Sequence, residues 1–136
     1  LSTMRGMTEL SGLELRRAVL KALGWKMELL LNGYWSLQRP DGSRPDSWNY
    51  FHDNSIDAWH NAPEIELSPD ISEKELEKVC AEHGRWWNCG IDYSLCDQYF
   101  CAVGHKDDVM CEIESYGSTP SEARCRAILR ALQESR

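Results

Sequence analysis

The sequence has few basic residues for its length. It carries 15 lysine and arginine residues against 22 aspartate and glutamate residues, so its formal net charge at pH 7 is -7. Proteins that bind duplex nucleic acid usually show a basic footprint that neutralises phosphates. The charge balance therefore argues against generic binding of duplex DNA or RNA. It leaves room for one small anion site, or for an acidic surface that docks on a basic partner.

Long apolar runs are also missing. No stretch approaches the ~20 consecutive apolar residues of a membrane-spanning helix, so we expect no membrane partner. The first residues lack the continuous apolar segment of a secretory signal, and we interpret residues 1–7 as a leader or disordered segment. Residues 8–136 have the length and composition of a single soluble domain.

Known catalytic motifs are absent as well. The sequence contains no G-x-S-x-G nucleophile motif, no P-loop and no dinucleotide fingerprint. The neighbouring pairs His52–Asp53 and His105–Asp107 stand beside many other carboxylates, and no spacing singles out an acid and a base. We therefore predict that the protein is not an enzyme and that it needs no cofactor.

The cysteines predict thiols rather than a metal site. There are six of them: Cys80, Cys89, Cys96, Cys101, Cys111 and Cys125. Without a visible secretory signal, we expect a cytoplasmic protein whose thiols are mostly reduced. Cys80, His83, Cys89 and Cys96 could supply four zinc ligands, but they lack the paired C-x2-C spacing of zinc knuckles. We predict no metal, with zinc on these four residues as the alternative.

Turn and capping signals define the N-terminal half. The string "LSGLELRRAVLKALGW" predicts a helix over about 11–23, with apolar residues at helical spacing. Asn32-Gly33 predicts a two-residue hairpin turn between strands at 27–31 and 34–38. Farther along, "SEKE" has capping-box spacing and predicts the start of a second helix that ends before "HG".

Alternating apolar residues define the C-terminal half. "DQYFCAVGH" and "VMCEIESYG" predict two strands, and "RWWNCGIDYS" predicts a third. A last helix is predicted from Thr119, with Pro120 at its first helical position and Glu122 three residues after the cap. This order favours an α+β fold, in which helices pack on an antiparallel sheet as a two- or three-layer sandwich with N-terminal and C-terminal helices.

The last helix carries a row of arginines. Arg126 and Arg130 lie one turn apart, beside Ala123 and Ala127, on a stripe next to the predicted core positions. Small alanines let a ligand or partner approach closely, and the planar guanidinium suits phosphate. The alternative is a solvated helix edge on which Arg126 pairs with a nearby carboxylate. The core positions expected on this helix are those at Cys125, Ile128, Leu129 and Leu132.

The aromatic residues of one predicted strand are ambiguous. Phe100 alternates with Tyr99, Cys101 and Val103, and the pattern leaves open which set faces the core. An outward aromatic ring can stack on a nucleotide base, which contributes ~1–3 kcal/mol per base. The alternative is that helices cover both faces of the sheet and both aromatic rings pack in the core.

Three strings of the sequence resemble the phage ABA-sandwich domain family: "LSGLELRRAVLKALGW", "NSIDAWHNA" and "YGSTPSEARCRAILRAL". Family members have an opening helix that ends in a Leu-Gly-Trp type string, a middle segment that ends in Ala-Trp, and a closing helix with a Thr-Pro cap. The resemblance covers most of the chain and implies a single ABA-sandwich-like domain carried by a phage or prophage. The chain departs from the family at Pro63 and Pro69, where the family usually continues a helix.

In size and element order, the chain also resembles the phage sponge proteins that defeat Thoeris immunity. That resemblance implies a homo-oligomer in the cytoplasm of the infected bacterial host, which sequesters a cyclic nucleotide signal of the cyclic ADP-ribose type without cleaving it. Arg126 and Arg124 would neutralise the pyrophosphate, Phe100 would stack on the base, and Asn54 and Asp57 would read the ribose hydroxyls. The alternative is an acidic phage protein that inhibits a host defence protein, as an anti-CRISPR protein does, by direct binding.

Overall fold

The computed structural model describes residues 10–44, 55–95 and 98–134. The helices in it are α1 (Gly12–Ala22), α2 (Ser55–His60), α3 (Pro69–Glu82) and α4 (Pro120–Glu134). The strands are β1 (Lys26–Leu29), β2 (Trp35–Gln38), β3 (Arg85–Asp92), β4 (Gln98–His105) and β5 (Cys111–Gly117), with a 3-10 turn at Tyr93–Leu95. The prediction of an α+β fold with helices packed on an antiparallel sheet is confirmed. No helix in the described ranges is long and apolar enough to cross a membrane.

Among the described residues, the helices cover one face of the three-stranded sheet, and we call the opposite face the open face. Its order is β3-β4-β5, and both pairs are antiparallel. Cys101 and Val103 on β4 are fully buried, whereas the alternating Phe100 and Ala102 are half-buried. On the covered face, α4 packs on β4 and β5, and α3 contacts both β3 and α4. The sheet therefore presents its alternate side chains away from the helices.

The alanines of α4 belong to the core. Ala123 and Ala127 are fully buried, so the prediction that they form an accessible stripe is wrong. Leu129 and Leu132, predicted as core residues, are half-buried and pack against the core. The small side chains let α4 lie close to the sheet, since a Cβ atom at Gly117 would come within 2.7 Å of the Ala123 amide nitrogen. The surface that approaches the alanines is the protein's own sheet.

The predicted start of α4 is confirmed. Pro120 is the first helical residue, and the Thr119 hydroxyl accepts a hydrogen bond from the Glu122 amide at 3.1 Å. The Glu122 carboxylate in turn accepts from the Ser118 amide at 3.0 Å. Two backbone amides at the helix start are thus bonded by side chains. One bond spans three residues and the other spans four.

The predicted start of α3 is wrong by about one turn. The helix begins at Pro69, and the Ser68 hydroxyl accepts a hydrogen bond from the Ile71 amide at 3.3 Å. Ser72, which has capping-box spacing, is fully buried, and its hydroxyl donates to the Pro69 carbonyl at 3.1 Å. Proline is well suited to the first turn because its missing amide hydrogen is not needed there.

The β1–β2 hairpin has a longer turn than predicted. The Leu30 amide donates to the Tyr34 carbonyl at 2.8 Å, which leaves three residues in the loop rather than two. The Asn32 side chain accepts from the Tyr34 amide at 3.0 Å, and Gly33 has a φ of 87°. The asparagine and glycine therefore specify a turn as expected, but the loop has one more residue.

A buried ion pair joins α1 to the segment between α2 and α3. Arg16 is 5% exposed and Glu66 is 6% exposed. The Arg16 Nε and Nη2 atoms each donate to one oxygen of the Glu66 carboxylate at 2.8 Å. The Nη1 atom donates to the carbonyls of Trp59 at 3.3 Å and His60 at 3.1 Å. The Arg16 guanidinium therefore joins α1 to the end of α2 and to the segment that follows α2.

Removal of one partner of this pair should destabilise the fold strongly. Glu66→Ala removes the carboxylate that Arg16 bonds through two atoms and leaves only the Glu64 carboxylate, which is 63% exposed and 3.5 Å from Arg16 Nη2. Loss of a buried ion-pair partner typically costs about 3–5 kcal/mol of unfolding free energy, and we expect the lower end of that range here. A pair nearer the surface, Arg44 and Glu28, serves as the control, with side chains 27% and 52% exposed and charged atoms 3.4 Å apart. There, Glu28→Ala should change stability by less than about 1 kcal/mol. Urea denaturation measures both, and equal effects would contradict a dominant role for the buried pair.

Candidate functional site

The open face of the sheet is the candidate site. It is formed by the side chains of Trp86, Asn88, Phe100, Ala102, Glu114 and Tyr116. Phe100 lies between Gly90 on β3 and Tyr116 on β5 in the strand register. Cross-strand neighbours of this kind have side chains close enough to act together on one partner. The face that holds Phe100, which the sequence left open, is thus the outward one.

Glycines on the neighbouring strands make room for the aromatic rings. A Cβ atom at Gly90 would lie 3.1 Å from the Phe100 ring, so this ring lies across the glycine. A Cβ atom at Gly104 would collide with the indole of Trp86. The Trp86 indole nitrogen donates to the Asp108 carbonyl at 2.7 Å, which fixes the ring against the loop after β4.

An exposed apolar tip adjoins the open face. Val109 is 93% exposed and Met110 is 67% exposed, and both lie in the loop between β4 and β5. The Met110 carbonyl lies against Gly104, beside the ring of Trp86. We call Val109 and Met110 the apolar tip. The sequence prediction placed Val109 in a strand, and the structure begins β5 two residues later.

The hydrogen-bonding pattern of the sheet fixes the direction of the β5 carbonyls. The Cα atoms of Cys89 and Cys101 are 4.2 Å apart, which is the short spacing of a non-hydrogen-bonded pair. Cys101 therefore bonds to the opposite strand, β5, where its partner is Ser115. Because bonding directions alternate along a strand, the carbonyls of Glu114 and Tyr116 point to the free edge of β5.

The arginine row of α4 covers that free edge. Arg130 Nη1 donates to the Glu114 carbonyl at 2.7 Å, and Arg126 Nη1 donates to the Tyr116 carbonyl at 2.6 Å. Unpaired carbonyls on an edge strand are a template for pairing with another chain. The two arginines occupy these acceptors. Arg126 and Arg130, one turn apart on the helix, reach the carbonyls of Tyr116 and Glu114, which are two residues apart on the strand.

Arg126 makes further contacts within the chain. Its Nε and Nη2 atoms donate to the Leu10 carbonyl at 3.3 and 3.0 Å, and Nη1 lies 2.9 Å from the Glu122 carboxylate. The side chain is 16% exposed. The guanidinium thus fixes the residue before α1 to the edge of β5. The carboxylate pairing considered for Arg126 in the sequence is present in the structure.

Of the other residues predicted to bind a ligand, Arg124 is directed away from Phe100. Arg124 Nη1 donates to the Pro69 carbonyl at 3.2 Å, which ties α4 to the start of α3 on the covered side. Its buried Nε has no hydrogen-bond partner among the described residues. Asn54 and the side chain of Asp57 lie outside the described part of the chain.

A separate cleft of about 390 Å³ opens between α1, the loop after β2, α3 and α4. Its apolar lining includes Leu23, Trp25, Pro40, Val79 and Leu132. Its charged lining consists of Arg39, Asp41, Glu75, Lys78 and Glu82. Hydrogen bonds from Ser43 lower the pKa of Asp41. The volume suits a small molecule, but acidic groups outnumber basic ones and none of the predicted ligand-binding residues lines the cleft.

The cysteines are used in two ways. Cys89 and Cys101, directly opposite each other on β3 and β4, are joined as a disulfide, which departs from the expectation of reduced thiols. Cys80, Cys111 and Cys125 are free. Burial raises the pKa of Cys80 to about 11 and that of Cys125 to about 12. Within the described ranges, no three His, Cys, Asp or Glu side chains gather as metal ligands, and Cys96 lies outside those ranges.

A charged cluster at the end of the sheet was missed by the sequence analysis. Glu112 lies at an irregularity in β5 and bonds Arg85 at 3.0 Å, and its other oxygen lies 3.2 Å from the His105 ring. The Arg85 side chain is 5% exposed. Arg85 and Glu112 are 27 positions apart in the sequence, so no local signal indicates this pairing. The outward positions of Trp86 and Tyr116 were also missed, although strand alternation could have revealed them.

Comparison of the chain with protein-family models, with curated proteins and with solved structures found no match. The functional proposal therefore depends on the geometry of the site and on the resemblance seen in the sequence.

The free thiols should differ sharply in reactivity. Thiolates are the reactive form, so the raised pKa values of Cys80 and Cys125, together with their burial, should protect both from alkylation at pH 8. Cys111 is exposed and should react before both of them. Peptide mapping after a brief iodoacetamide pulse measures the order, with unfolded protein in urea as the control. Equal labelling of Cys80 and Cys111 in the folded protein would contradict the packing described here.

Proposed function

We propose that this protein acts by binding a basic protein partner on the open face of its sheet and thereby blocking that partner. The observation that carries the proposal is the cluster of outward aromatic side chains, Trp86, Phe100 and Tyr116, next to the exposed apolar tip. The phage and anti-defence setting comes from the sequence resemblance. In that setting, the partner would be a host defence protein.

The composition of the open face supports a protein interface. Aromatic residues and methionine are enriched at the centres of such interfaces, and tyrosine and tryptophan are frequent hot spots. Trp86 and Phe100 are held in place by their contacts with glycines and by the Asp108 carbonyl, so little side-chain entropy is lost on binding. A rigid aromatic surface of this kind can bind a partner without the enclosed pocket that a small ligand needs.

The charge of this surface supports a basic partner. Arg85 is the one lysine or arginine in β3, β4 and β5, and it points away from the open face to pair with Glu112. Glu114 is exposed on the open face, and the whole chain has a net charge of -7. Complementary charge accelerates association and disfavours wrong partners, and salt weakens both effects.

The anchoring of the arginines supports a protein partner over a phosphate ligand. Arg126, Arg130 and Arg124 all donate to backbone carbonyls of the chain. A pyrophosphate would have to compete for the same donors, and the edge of β5 would lose its cover.

A crosslinking experiment identifies the partner and its site together. Benzoylphenylalanine placed at Phe100 or Tyr116 should crosslink a basic protein in host cells, whereas the same probe placed at Glu77 on α3 should not. The captured protein is then purified and titrated with the unmodified chain. The proposal is wrong if the probe at Glu77 captures the same protein as efficiently.

Two substitutions then test the interface with the purified partner. Loss of a hot-spot aromatic typically costs about 2 kcal/mol or more, so Phe100→Ser should raise the Kd about 30-fold. Glu114→Lys should weaken binding mainly through slower association at low salt. Glu77→Lys makes the same charge change on exposed helix surface and should leave the Kd nearly unchanged. Equal Kd values for all variants would refute the assignment of the open face.

We propose nucleotide sequestration as the second candidate function. It is supported by the cross-strand pair of Phe100 and Tyr116, two outward rings on which the base of a cyclic ADP-ribose-type signal could stack. Arg126 bonds the carbonyl of Tyr116, so one guanidinium lies at the edge of the same surface. This function would need the arginine to exchange a backbone carbonyl for phosphate.

Thermal unfolding against cyclic ADP-ribose isomers and cyclic di- and trinucleotides tests this second function. A ligand at 100 times its Kd should stabilise the protein by about 2.7 kcal/mol. Phe100→Leu keeps an apolar side chain but removes the ring, so it should reduce that stabilisation. Recovery of intact ligand after heating would exclude cleavage. No stabilisation by any member would reject the sponge function for these ligands.

A further inference from the structure

The two edges of the three-stranded sheet are treated differently. On β5, Arg126 and Arg130 cover the outward carbonyls. On β3, the outward backbone groups are those of Trp87, Cys89 and Ile91, because each of these residues faces β4 as a non-hydrogen-bonded pair. Within the described ranges, no backbone or side-chain hydrogen bond reaches these groups. In the described part of the chain, the β5 edge is therefore protected and the β3 edge is open.

A bond beyond the strand end confirms this assignment of directions. The Lys106 amide donates to the Gly84 carbonyl at 2.8 Å, which continues the β3–β4 ladder. Gly84 is thus in a hydrogen-bonded pair with its opposite residue. The same holds for Trp86, Asn88 and Gly90 on β3. The odd-numbered residues between them necessarily direct their amide and carbonyl groups outward.

We propose that a second copy of this chain pairs with β3 in antiparallel orientation, through Trp87, Cys89 and Ile91, and joins the two sheets into one of six strands. The strand is eight residues long and has charged residues at its two ends, Arg85 and Asp92. In antiparallel self-pairing, the Arg85 end of each strand lies beside the Asp92 end of the other, so the two Asp92 carboxylates stay apart. A two-fold axis closes the assembly at two copies.

The sequence of β3 contains none of the features that guard natural edges. Between Arg85 and Asp92 there is no lysine, no proline and no charged side chain, and these are the usual devices against edge pairing. When odd-numbered residues of one β3 strand lie opposite odd-numbered residues of the other, the covered faces of both copies lie on the same side of the joined sheet. The two open faces then form one continuous surface. The inference is independent of which partner binds that surface.

Ile91→Pro separates edge pairing from folding. Proline has no amide hydrogen, and at this position the lost amide points outward, so the ladder with β4 keeps its bonds. Ile91 is 38% exposed and its replacement opens no large cavity. Ile91→Thr is the matched control, since threonine keeps both the amide and the β-branched shape. Circular dichroism checks that both variants remain folded.

Sedimentation equilibrium measures the outcome. The unmodified chain and Ile91→Thr should show twice the 15.7 kDa of one copy. Ile91→Pro should sediment at 15.7 kDa, or with a dimer Kd raised at least about tenfold, equivalent to 1.4 kcal/mol. A single-copy mass for the unmodified chain at every concentration would overturn the proposal. So would a folded Ile91→Pro variant whose dimer Kd is unchanged.

Amide hydrogen exchange of the unmodified chain keeps the test valid if Ile91→Pro fails to fold. Exchange of the Trp87, Cys89 and Ile91 amides should slow as protein concentration rises, because pairing protects them. The Asn88 amide, which bonds to β4, should be protected at all concentrations. Fast exchange at all three positions, independent of concentration, would show that the β3 edge is free or reserved for another protein.

Discussion

The opposition of Cys89 and Cys101 in a non-hydrogen-bonded pair is the constraint on which the rest of the structure depends. It assigns every backbone group of the sheet to an inner ladder or an outer edge, and every side chain to a covered or an open face. Phe100 faces outward because Cys101 faces the core. The carbonyls at the β5 edge point outward for the same reason, and there they meet the arginines of α4.

Several arginines of this acidic protein bond carbonyl groups of its own backbone. Arg126 and Arg130 cover edge carbonyls, Arg124 ties α4 to α3, and Arg16 joins α1 to a buried glutamate and to two carbonyls. A guanidinium carries five donors in a rigid fork, so one side chain can bridge several chain segments. The row of arginines first suggested a phosphate site, and the structure gives it a role in the fold.

Local signals predicted much of the fold. Strand alternation placed β4 and β5, and the Thr-Pro cap placed the start of α4, because each depends on neighbouring residues. Long-range choices were not predictable. Arg16 lies three residues before the core residue Val19 on the same helix, but no local pattern names Glu66 as its partner. Likewise, alternation showed that Phe100 and Cys101 face opposite sides, but only the position of α4 decides which side is covered.

The proposed binding surface depends on the strand register. A slip of one residue would move Phe100 into the core and remove that surface. Nuclear Overhauser effects between Hα protons test the register directly, because non-hydrogen-bonded pairs bring these protons close together. We predict strong cross-strand Hα contacts for Cys89 with Cys101 and for Trp87 with Val103. Strong Hα contacts between Asn88 and Cys101 would instead show a slipped register and contradict the open face.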